Sequence, residues 1–102
     1  MQTLYEETGK TFLTTATDED SSVSWATSTD YFRTGQHNIE GRLKVRDCYK
    51  VVSIEFFCGS EKEYKQKLDK LDTLINELYK FRDSLTTAWD YKKESELWLK
   101  QS

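Results

Sequence analysis

The chain has 102 residues, of which 32% are charged, and a formal net charge of −3. That length reads as one domain, with room for a modest core and none for separate substrate and cofactor domains. Nine acidic and six basic residues precede Ser60 and nine of each lie from Ser60 onward, so neither the Lys and Arg excess of a nucleic-acid binder nor the strong acidity of a DNA mimic is present.

The first residues, Met1 to Glu7, lack a basic stretch followed by an apolar one, and no apolar run approaches the roughly 20 residues that cross a bilayer. The expectation is a soluble, cytoplasmic protein, in the host cytoplasm if its origin is viral. Thr8-Gly9 is placed to close a short hairpin between Leu4–Glu7 and the strand that starts at Lys10. From Lys10 to Thr34 the chain is rich in threonine and serine with β-branched and aromatic residues interleaved, as in Thr11 to Thr17 and Val23 to Phe32. Side chains of this kind suit a pleated, half-buried surface, which predicts two strands. Asp18 to Ser22 separates them and reads as a hairpin loop.

The clearest pair follows. Ile39, Gly41, Leu43 and Val45 alternate with Glu40, Arg42, Lys44 and Arg46, and Val52, Ile54 and Phe56 alternate with Val51, Ser53 and Glu55. With Cys48-Tyr49 as a two-residue turn, Val45 faces Val52, Leu43 faces Ile54 and Arg42 faces Glu55, so one register satisfies both faces.

Ser60 to Ser102 contains neither glycine nor proline. Ser60-Glu61-Lys62-Glu63 opens it as a capping box. Tyr64, Leu68, Leu71, Ile75, Leu78 and Leu85 follow at helical spacing, with Leu74, Phe81 and Ala88 in a neighbouring row. Glu61–Lys65, Glu63–Lys67 and Glu96–Lys100 are opposite charges four residues apart. Forty helical residues extend about 60 Å, whereas a nine-residue strand extends about 30 Å. A helix packed on the sheet would therefore outrun it. One resolution is a break near Thr86-Thr87, where Thr-x-x-Asp starts a second helix; the other is an unbroken helix whose surplus packs on another copy through Leu78, Leu85, Trp89 and Trp98.

The fold expected is α+β: a four- to five-stranded antiparallel sheet over residues 1–58, then a long C-terminal helical segment over 60–100, in a single domain. No catalytic template accompanies it. The glycines are isolated, there is no Gly-x-Ser-x-Gly elbow, and the one histidine, His37, has neither Cys nor His at metal-ligand spacing. Cys48 and Cys58 fall at opposite ends of the predicted hairpin and read as two reduced thiols. No metal or cofactor is expected.

Binding is the remaining class. Arg42, Lys44 and Arg46 form a cationic ribbon at two-residue spacing, Asn38 lies on the same side and His37 on the other, Tyr49 occupies the turn, and Phe57 shares the side of Val51 and Glu55. Arginine and exposed aromatic side chains are the types that anchor interfaces. Small, mildly acidic, cysteine-poor chains without catalytic motifs are common among viral accessory proteins that block host defence components, an analogy of class only. The expectation is a non-enzymatic inhibitor of a host protein, homo-oligomeric through its helix; the alternative is an oligomeric sponge that captures a small anionic ligand such as a nucleotide.

Overall fold

The computed structural model describes residues 2–13, 21–33 and 35–101, with side chains through Leu97. Four strands precede one helix: β1 (Gln2–Phe12), β2 (Ser21–Tyr31), β3 (His37–Asp47), β4 (Lys50–Glu55) and α1 (Glu61–Gln101). The strands form one open antiparallel sheet in chain order, β1-β2-β3-β4. The α+β arrangement is therefore the one expected, with four strands and a single helix among the described residues. By packing, the chain divides into two compact units, Met1–Leu68 and Asp69–Ser102.

The β3–β4 hairpin has the expected register, with Val45 opposite Val52, Leu43 opposite Ile54 and Arg42 opposite Glu55. Its turn residues are Cys48 and Tyr49, and Cys48 has a φ of 54°. A left-handed first turn residue followed by an ordinary one is the type II′ pattern, where glycine is usual. Pairing continues past β4: the Phe56 amide donates to the Gly41 carbonyl at 2.8 Å, and Ile39 and Cys58 exchange both backbone bonds.

The N-terminal half differs from expectation in one respect. Thr8-Gly9 closes no hairpin; both residues lie inside β1, opposite Ala26 and Trp25. Gly9 serves close packing instead, since a Cβ there would fall 2.5 Å from the Trp25 indole. The only register shift along β1–β2 lies between Thr3 and Tyr5, so the strand runs unbroken where a hairpin and a fifth strand were expected. Ser21 and Ser22, expected in the loop, belong to β2 and are buried. The rest of that loop, and the predicted strand beyond Leu13, lie outside the described residues.

Alternation gives the sheet two unlike faces. Val23 and Trp25 of β2, Leu43 and Val45 of β3, and Val52 and Ile54 of β4 share the apolar face, as their registers require. The opposite face carries Glu6 and Lys10 of β1, the small residues Ser22, Ser24, Ala26 and Ser28 of β2, and Glu40, Arg42, Lys44 and Arg46 of β3.

The helix starts as its sequence dictates. The Glu63 amide donates to Ser60 Oγ at 3.2 Å, and Glu63 Oε2 accepts from the Gly59 amide at 3.2 Å, one residue earlier than in the standard reciprocal box. Glu61 and Glu63 add negative charge at the positive end of the helix dipole. Of the two resolutions, the structure has the unbroken helix, continuous through Thr86-Thr87. Thr86 Oγ1 donates to the Arg82 carbonyl at 3.1 Å, bonding back into the preceding turn instead of capping a new helix. Of the expected charge pairs Glu61–Lys65 forms at 3.3 Å; Glu96 also lies 3.3 Å from Lys92, and the Lys100 side chain of the expected Glu96–Lys100 pair lies outside the described residues. No helix among the described residues is long and apolar enough to cross a membrane.

Candidate partner-binding face

Three of the expected residues converge on the polar face. Arg42 and Lys44 of β3, together with Phe57 just beyond β4, line an open hollow of about 280 Å³ whose other polar walls include Glu6, Ser24, Ser28 and Glu40. The hollow exists because β2 presents serine and alanine side chains there, between longer side chains on β1 and β3. Phe57 reaches this face because pairing persists after β4 and preserves the alternation of the strand. The Arg42 guanidinium lies 5.7 Å from the Phe57 ring centre, within cation–π range, and its Nη2 is 3.3 Å from Glu55 Oε1. Both ends of that ion pair remain about half exposed, so it orients Arg42 without removing it from solvent.

The other expected residues occupy the margins. Asn38 lines an adjacent hollow of about 290 Å³ with Gln36, Glu40, Phe57, Cys58, Gly59 and Glu63. Arg46 lies further along β3, opposite Ser22 and Val51, outside both hollows. Tyr49, at the hairpin tip, is fully exposed. His37 falls on the opposite face, its ring centre 4.9 Å from that of Tyr31. Of the expected self-association residues, Leu78, Leu85 and Trp89 are more than half exposed on α1, and the Trp98 side chain lies outside the described residues.

Glu6, Ser24 and Ser28 were not singled out from the sequence, although Ser22-x-Ser24-x-Ala26-x-Ser28 carries the two-residue signature of a small-residue floor. Asp30 is another unanticipated feature. Only 3% exposed, it accepts bonds from Thr3 Oγ1 at 3.2 Å and Ser28 Oγ at 3.4 Å. It ties β1 to β2 beside the hollow. Ser21 Oγ similarly donates to Asp47 Oδ1 at 2.7 Å and ties β2 to β3.

No family model, curated protein or solved structure matches this chain. The chemistry available on the face is therefore read from its own residues.

Both cysteines are free, Cys48 exposed and Cys58 buried. Burial pushes the Cys58 thiol above its ordinary pKa, the nearby Glu63 carboxylate adds to the effect, and Lys67 opposes it. Held protonated at neutral pH, this thiol is a poor nucleophile. On the other face, the Tyr5 hydroxyl donates to the Glu7 carboxylate, which raises the phenol pKa. Among the described residues no group of three or more His, Cys, Asp or Glu is placed to hold a metal ion. The hollow brings together the Arg42 and Lys44 cations, the Glu6 and Glu40 carboxylates, serine hydroxyls and the Phe57 ring on an open surface.

Proposed function

We propose that this chain is a non-enzymatic binding protein that occupies a macromolecular partner, as an inhibitor does, with the polar sheet face as its contact surface. The observation that supports this reading is the convergence of Arg42, Lys44 and Phe57 around one open hollow. Arginine and aromatic side chains give most binding energy per residue when a partner surface covers them. The alternating charges of Glu6, Glu40, Arg42 and Lys44 favour a partner with a matching polar mosaic. They weigh against a free small anion, which would meet two carboxylates beside the two cations. An inhibitor directed at a host defence protein is one form of this function.

The test is native mass spectrometry of gently purified protein, comparing wild type with an Arg42→Glu, Phe57→Ala double variant. A co-purifying protein present with the wild type and lost with the variant supports the proposal. A retained adduct of a few hundred daltons, lost with the same variant, replaces it with capture of a small ligand.

A further inference from the structure

The apolar side of α1 is a second surface. Leu71, Ile75, Leu78, Arg82, Leu85 and Trp89 succeed one another at alternating steps of four and three, the spacing of a helix–helix seam. Leu74, Phe81 and Ala88, seven residues apart, form a parallel row that widens it. Every described side chain from Ile75 to Leu97 is exposed in the single chain. Ile75, Leu78, Phe81, Leu85 and Trp89 are between 41% and 63% exposed. At roughly 100 Å² each, with the flanking half-buried leucines, they offer about 600 Å² per copy, or about 1,200 Å² for a pair. That reaches the lower bound of a stable, specific interface.

We infer that this seam pairs with the same seam of a second copy, and that the two helices run antiparallel. Arg82 decides the orientation. In a parallel, in-register pair identical seam positions share a layer, so two Arg82 guanidinium groups would meet in an apolar interface, a costly arrangement. In an antiparallel pair the two kinds of seam position oppose each other. Centred on Lys80, the seam from Leu71 to Trp89 maps onto itself: Leu71 opposes Trp89, Ile75 opposes Leu85, and Leu78 opposes Arg82. The two arginines are then four residues apart along the axis, about 6 Å, and each lays its stem over a leucine while its head reaches water. Opposed helix dipoles favour the same arrangement.

The test combines association with orientation, in a Cys48→Ser background. Sedimentation equilibrium at about 200 μM should show two or more copies per particle, and Leu78→Lys should weaken association by about a hundredfold or more. Arg82→Leu should tighten it by about tenfold or more. Because Leu78 is exposed in the single chain, the Leu78→Lys and wild-type chains should share one far-ultraviolet spectrum when both are monomeric. An equimolar mixture of Leu71→Cys and Trp89→Cys chains, oxidised together, should yield the mixed disulfide. Self-crosslinked pairs of each variant, or a monomer at the highest concentration, would overturn the inference.

Discussion

Cys48 adopts a backbone conformation that disfavours a Cβ and that glycine reaches freely. Replacing it with glycine should stabilise the fold by about 0.5–1 kcal/mol, the relief of strain outweighing the added freedom of the unfolded chain, as urea unfolding would show. Gly9 is the opposite case. A methyl group there meets the Trp25 ring at 2.5 Å, so Gly9→Ala must displace the indole and should cost about 1–3 kcal/mol, with a shifted tryptophan emission in the folded state. The two thiols should also separate chemically. Cys48 is exposed and should react quickly with a thiol reagent near pH 8, whereas Cys58, buried and with a raised pKa, should react only as the structure opens. Because the folded state holds the Cys58 proton more tightly than the unfolded one, that contribution to stability is present below the unfolded thiol pKa of about 8.5 and fades as pH rises through the folded value. A pH series of urea midpoints, compared with Cys58→Ala, checks the sign.

At the scale of elements, the β3–β4 hairpin and the helix were legible because each carries redundant local information. Leu43, Val45, Val52 and Ile54 set one face while Arg42 and Glu55 set the other, and a slip of one residue would violate both. Ser60 and Glu63 mark the helix start through contacts three or four residues long. Ser60→Ala should therefore cost about 1 kcal/mol, measurable by chemical unfolding with a helix-sensitive probe, while Glu55→Gln should change stability by less than about 1 kcal/mol because its ion pair is exposed. The extent of β1 was less legible. Thr8-Gly9 has the composition of a turn, and only its cross-strand neighbour Trp25 explains a glycine in mid-strand. Thr86-Thr87-Ala88-Trp89-Asp90 resembles a helix start, yet the Thr86 hydroxyl is also able to bond back to Arg82, and helix continuity wins. For the site, alternation placed Arg42, Lys44 and Phe57 on one side. The contribution of Glu6, Ser24 and Ser28 required knowing that β1 and β2 pair in the observed register, which no short sequence window contains.

On the scale of the whole molecule, Cys58 carries the only buried hydrophobic side chain among the described residues. One open sheet is a single layer, and a layer buries its apolar face only against another. Stability should therefore depend on association: a melting midpoint that rises with protein concentration in scanning calorimetry is the expected outcome. Amide exchange should be slowest in β2 and β3, which have paired neighbours on both sides, and faster along the outer edges of β1 and β4. The sheet order carries a consequence for synthesis. Each strand pairs with the strand beside it in the chain, and pairings of low sequence separation form early. Chains fold from the N-terminus as they emerge. The sheet can thus be complete before any of α1 has left the ribosome, and the helix then extends from a finished scaffold.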